Sequence, residues 1–146
     1  MAKKLTSLNN LSSAIYDELS LYSAEVVAGM KRVNDECMKE FVSDTKRDAP
    51  KSKSKRRGTF AKNITSKTTL DTPNKKVNTW YVKNPEYRLA HLLKNGHAKR
   101  NGGRTKAQDF ITPNYEKLER NYEEGIKEVI TNGHWKMVPR WNRNGN

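Results

Sequence analysis

The sequence predicts an α+β fold with a long N-terminal helix, a small antiparallel sheet made of a hairpin, a short helix and a C-terminal helix. Three observations carry that prediction. Apolar residues at 8, 11, 15, 19, 22, 26, 30, 33, 37 and 41 alternate steps of three and four, which is the period of a helix face. Two β-branched runs, 63–70 and 77–83, flank the turn-forming DTPNKK. A last stripe of Tyr115, Leu118, Tyr122, Ile126, Val129 and Ile130 restores the helical period.

The first helix is the strongest signal. Ser7 can cap its start, and Ala49-Pro50 sets its end near Lys46, because the residue before a proline avoids helical geometry. A helix of that length, roughly 57 Å at 1.5 Å per residue, is longer than one small domain can cover. The expectation is therefore a break near Ser20 or Ser23, with Gly29 a weaker one, or packing of the far end on a neighbouring subunit. The lone Cys37 falls in the helical pattern, which excludes an internal disulfide and fits a reducing cytoplasm.

Residues 46–62, KRDAPKSKSKRRGTFAK, read as a loop with 8 basic residues against 1 acidic. Lys51, Lys53, Lys55, Arg56 and Arg57 are the candidate docking cations there. In the hairpin, Ile64, Ser66, Thr68 and Leu70 are expected on one face, and Asn84-Pro85 ends the second strand. Tyr87, Leu89, His91, Leu92 and Leu93 then give a short helix that stops at Gly96, where glycine enters the left-handed conformation without a Cβ penalty. His91 is expected to be a half-buried helix residue bonded to backbone, and His97 to cap the helix's last carbonyls. After it, Lys99, Arg100, Arg104 and Lys106 surround Asn101-Gly102-Gly103. That loop, 98–106, has little to bury and is expected to be exposed, mobile and available to a partner. Thr112-Pro113 opens the C-terminal helix, with Glu116 in capping-box position to Thr112 and Gly133 as its stop. The tail carries Trp135 and Trp141, and tryptophans in a tail usually dock somewhere. The organisation predicted is one domain, 1–134, with basic loops 46–62 and 98–106, followed by a tail, 135–146.

Charge narrows the function classes. The net charge is +13, but residues 8–45 hold 7 acidic and 3 basic residues, so the excess sits in the middle of the chain. Such a distribution suits a polyanion or an acidic protein surface. No apolar run is long enough to span a membrane, and no contiguous apolar core marks a secretory signal. Catalytic patterns are thin. His91, His97, His134 and Cys37 lack metal-ligand spacing, and Asp71, Glu86 and Asp109 are the only acids in 63–111. The glycine loop has five residues between Gly96 and Gly102 and an arginine for the lysine, so it is no phosphate-binding P-loop. Neither an enzymatic activity nor a cofactor or metal is expected.

The segment YRLAHLLKNGHAKRNGGR, with Trp80-Tyr81-Val82-Lys83-Asn84 before it and Asp109-Phe110-Ile111 after it, resembles the head–tail joining or tail-completion (neck) proteins of long-tailed bacteriophages and prophages. The likeness extends upstream through residues 46–62 and covers about 46–130. Lys94 stands where that family carries an acid, and Asp109 where it carries a small residue or proline. The resemblance implies structural roles for Tyr87, His91, Gly96, His97, Gly102, Gly103 and Phe110. It further implies a virion structural protein that joins or completes the tail at the head connector as a six-copy ring. Its partners would be other copies, the connector and the tail-tube or terminator proteins, with weak genome DNA contact, in the host cytoplasm during assembly and in the neck of the virion afterwards. In that reading the two basic loops, Trp135 and Trp141 are the docking elements. A non-catalytic nucleic-acid-binding module is the alternative, with Trp80, Tyr81, Trp135 and Trp141 available to stack on bases.

Overall fold

The computed structural model describes residues 8–51 and 58–132. Helix α1 (Leu8–Asp48) runs unbroken for 41 residues, and a short α2 (Thr59–Asn63) leads into the hairpin of β1 (Ile64–Thr72) and β2 (Lys75–Val82). A 3-10 turn (Glu86–Arg88) joins α3 (Leu89–Asn95), and α4 (Thr112–Asn132) closes the described chain. The α+β class and the order of elements are as the sequence predicts. The 46–62 segment is shorter as a loop than expected, because residues 46–48 continue α1 and residues 59–62 belong to α2.

Helix α1 lies in the middle, with α4 antiparallel to it on one side and the hairpin on the other. No break occurs at Ser20, Ser23 or Gly29. Gly29 has a packing role instead: a Cβ there would stand 2.7 Å from Cγ1 of Val129, so the glycine lets α4 approach closely. Val33, Cys37 and Val129 form the core of this helix pair, flanked by Val26, Met30, Leu118 and Ile126. Phe41 bridges the two sides, with ring centroids 5.9 Å from Trp80 of β2 and 6.5 Å from Tyr115 of α4.

A second core gathers at the C-terminal end of α1, from Ala49, Phe60, Ile64, Val82 and Phe110. Phe60 and Phe110 meet edge to face at 5.7 Å, a favoured aromatic geometry. Leu93 and Ala90 of α3 pack against this core, which fixes α3 and the loop after it at that end of the molecule.

The hairpin pairs Ile64 with Val82, Ser66 with Trp80 and Thr72 with Lys75, around the turn at Pro73-Asn74. A bulge inserts Thr69 between the Thr68–Asn78 and Leu70–Val77 pairs. The strict alternation expected from Ile64 to Leu70 is therefore broken, since one extra residue shifts the pleat. Trp80 is half-buried and donates from Nε1 to Oγ1 of the fully buried Thr45 at 3.1 Å.

Two boundary expectations need correction at α4. Its N-terminus is capped by Asp109, whose Oδ1 accepts from the backbone of Thr112 at 2.9 Å and Ile111 at 3.2 Å, rather than by a Thr112–Glu116 box. These bonds, led by that from Thr112, hold the Asp109 carboxyl below its ordinary pKa. The packed face of α4 is Asn114, Leu118, Asn121, Gly125 and Val129, whereas Tyr115, Tyr122 and Ile130 lie on its exposed flank. Leu118, Ile126 and Val129 of the expected stripe do pack against α1, and beside them Asn114 and Asn121 meet an acidic row on that helix. The Ser7 cap and the Gly133 stop lie outside the described residues.

Candidate functional site: an uncovered helix end and an ordered basic hairpin

Between Ile15 and Glu25 the described side chains of α1 are all exposed. The hairpin turn reaches only to the level of Lys31, which binds Asp71 at 2.6 Å and the carbonyl of Thr72 at 2.6 Å. On the other side, Tyr22 donates to the carbonyl of Ile130 at 2.6 Å, two residues before α4 ends. Tyr22 is itself 47% exposed, and beyond it the apolar stripe is uncovered at Leu19 and Ile15, 61% and 51% exposed, with the off-stripe Leu21 63% exposed beside them. Nothing in the sequence separates these positions from Val33 and Cys37, because the periodicity is the same. Between this half of α1 and the hairpin turn lies an open groove of about 620 Å³, floored by Ser20, Ser23, Ala24, Val27 and Ala28 and edged by Leu19 and Pro73. The small side chains keep its floor low.

The opposite end of the molecule is basic and built from backbone. Gly96 ends α3 at φ 69° and ψ 162°, outside the left-handed helical region that the sequence suggested. It is needed there for a second reason, since a Cβ would lie 2.5 Å from the carbonyl oxygen of Thr105. His97 does not cap α3; its N–H donates to Thr105 Oγ1 at 2.8 Å, its carbonyl accepts from the Thr105 N–H at 2.8 Å, and its Nδ1 lies 3.1 Å from the same hydroxyl. The cap on α3 comes from Gln108, whose N–H donates to the carbonyl of Leu93 at 2.9 Å. Ala98 pairs with Arg104, Lys99 N–H with the carbonyl of Gly103 at 2.9 Å, and Gly102 N–H with the carbonyl of Lys99 at 3.1 Å. This is a miniature hairpin whose three-residue tip uses Gly102 at φ 85°, where a side chain would be strained. The loop that composition suggested would be mobile is thus closed on itself by backbone bonds.

The hairpin presents Lys99, Arg100 and Arg104, with Lys106 just beyond, all exposed; Lys51 is exposed as well. Tyr87 and His91 are also exposed, which corrects the half-buried place expected for His91, and Arg88 lies against the Tyr87 ring at 5.6 Å. Phe110 is buried. Gly103, at φ 78°, faces open space. Lys53, Lys55, Arg56, Arg57, Trp135 and Trp141 lie outside the described residues. Among the described residues no group of three or more His, Cys, Asp or Glu is arranged to hold a metal ion, and no helix is long and apolar enough to cross a membrane.

One constellation escaped sequence reading. Glu40, Asp44 and Asp48 recur every four residues along α1 and meet Lys117, Asn121 and Asn114 of α4. Lys117 Nζ bonds Glu40 at 2.6 Å and also Asp44, and Asn121 donates to Glu40 at 2.9 Å. On the other side of α1, Asp35 accepts from Lys76 at 2.6 Å and Asn78 at 2.8 Å. Burial opposes the charge on Asp35, but these two hydrogen bonds together with the nearby charges of Lys76 and Lys39 lower its pKa. The spacing of the acids was visible in the sequence; their partners, far along the chain, were not. These acids are therefore consumed inside the subunit, while Asp17 and Glu25 on the uncovered half remain exposed.

No protein-family model, no characterised protein and no solved structure matches this chain.

Proposed function

We propose that this chain is a structural subunit of a bacteriophage neck, assembling as a six-copy ring that joins or completes the tail at the head connector. The observation that supports this reading is the uncovered apolar half of α1. A subunit about 62 Å long along one helix, packed over only part of that length, leaves apolar surface that a neighbour can bury. The rigid basic hairpin at the other end is suited to an acidic protein rim, and charge complementarity of this kind sets orientation and rate of encounter. The resemblance of residues 87–104 to neck proteins supplies the biological setting, with the connector and the tail-tube or terminator proteins as neighbours.

A nucleic-acid-binding role is the second reading, favoured by Lys99, Arg100, Arg104 and Lys106 standing together on an ordered loop. Light scattering at about 0.1 M and about 0.5 M salt, with and without duplex DNA, separates the two. A discrete oligomer, or capture by purified phage heads or tails, indifferent to DNA at the higher salt, supports the neck reading. A monomer that ignores heads and tails and binds DNA with a steep salt dependence transfers the assignment to the second.

A further inference from the structure

The two ends of this molecule carry opposite character, and that decides how copies would meet. Residues 15–30 of α1 contain three acids, Asp17, Glu18 and Glu25, and no basic residue. Residues 94–106 contain five cations, Lys94, Lys99, Arg100, Arg104 and Lys106, and no acid. Asp17 and Glu25 of the first stretch are exposed, ahead of Val26, Gly29 and Met30, which pack against α4; the second stretch is held at the other end of that helix by Leu93 and Gly96. About 39 Å of helix separates Leu19 from Thr45, next to the core on which α3 sits. A face-to-face pairing of two identical apolar helix ends would set acid against acid. A head-to-tail pairing sets acid against base.

Resting on the ring reading, we propose that the groove and apolar stripe on the N-terminal half of α1 receive the basic hairpin 97–105 of a second copy. The contact is heterologous: each subunit offers one socket and one plug, so association continues around a closed ring instead of stopping at a dimer. The socket supplies the small-residue floor of Ser20, Ser23, Ala24 and Ala28 and the apolar wall of Leu19; Lys31 also lines it, its charge taken up by Asp71 at 2.6 Å, and Asp17 lies outside the lining on the same helical face as Ser20 and Ala24. The plug is narrow because Gly102 and Gly103 carry no side chains. It is pre-ordered by its own backbone bonds, so little further ordering is needed on docking. Opposite charge at the contact also makes it sensitive to salt.

The test uses two full-length variants that alter exposed side chains only. L19K damages the socket, because it sets a cation against the basic plug, and leaves the plug intact; R100E with R104E damages the plug and leaves the socket intact. Sedimentation at low salt is expected to show the wild type self-associating and each variant alone weakened about tenfold or more. The equimolar mixture is expected to give a 1:1 dimer and nothing larger, because one good plug meets one good socket and no further sites remain. A mixture that stays monomeric while the wild type associates overturns the plug-and-socket contact without touching the ring reading. So does an R100E/R104E variant that associates as the wild type does. A wild type that is monomeric throughout also overturns it, and the neck reading then stands or falls on capture by heads and tails.

Discussion

At the residue scale, the informative positions are those where chain geometry leaves no choice. Gly96 combines a positive φ with a backbone oxygen 2.5 Å from where a Cβ would be, whereas Gly103 has the positive φ and open space. Replacing Gly96 by alanine is expected to cost about 3 kcal/mol, and Gly103 by alanine about 1 kcal/mol, as read from urea unfolding midpoints. The contrast isolates the close approach to Thr105 from backbone strain alone. Asp109 makes a different prediction. Its carboxyl is held below the ordinary value by the bonds from Thr112 and Ile111, so its stabilisation is present above that value and is lost as pH falls through the folded pKa. D109A should lose about 1 kcal/mol at neutral pH through the missing cap. D109N, which keeps an acceptor but cannot titrate, should keep most of that stability and lose part of the acid sensitivity below about pH 4. Thermal melts from pH 3 to pH 7 would check both.

At the element scale, α4 is bound to α1 by a polar row as much as by an apolar core. Lys117 stands between Glu40 and Asp44, whose side chains are mostly buried. Removing the cation leaves Glu40 and Asp44 facing each other with Arg47, 2.7 Å from Asp44, as a remaining charge partner, and the lost neutralisation outweighs the value of the pair itself. K117M is expected to destabilise by about 2–3 kcal/mol, with an unchanged denaturant slope. Adding E40Q and D44N to it should recover part of the loss, the non-additive sign of residues sharing one network. If K117M proves neutral, the row is a solvated set of charges and α4 is held by Val129, Leu118 and Ile126 alone.

At the scale of the whole molecule, stability is expected to be unevenly spread along α1. Residues 29–45 are covered by α4 and the hairpin; the described side chains of residues 15–25 are all exposed, with Tyr22 bonded to the last turn of α4. Amide hydrogen exchange of the isolated subunit should therefore be faster across 15–25 than across 29–45, since a helix turn without tertiary packing opens at low cost. In the assembled state the 15–25 segment should gain the protection it lacks, along with the 97–105 hairpin. Uniform protection of α1 in the isolated subunit would mean that the uncovered half is stabilised from within, which would remove the physical need for a neighbour.

What the sequence determined by itself was the set of elements. Period-3.6 stripes gave α1 and α4, β-branched runs around Asp71-Thr72-Pro73-Asn74 gave the hairpin, and Gly96 and Thr112-Pro113 marked the ends of α3 and the start of α4. These signals are local, and a few neighbouring residues suffice to fix a backbone conformation. The exposure of the basic cluster was legible too, because 97–105 contains nothing apolar enough to be drawn inward except Ala98. Tertiary structure alone decided which part of a stripe is buried. Ile15 and Val33 occupy equivalent places in the pattern, yet one is half exposed and the other fully buried, because the described part of α4 reaches to Asn132 and the hairpin turns at Pro73-Asn74. It also decided that Trp80 bonds to Thr45, that Asp109 caps α4, and that Glu40 and Asp44 share Lys117. Each of these depends on two segments distant in sequence arriving at one place, and periodicity within a single segment carries no information about where the other one stops.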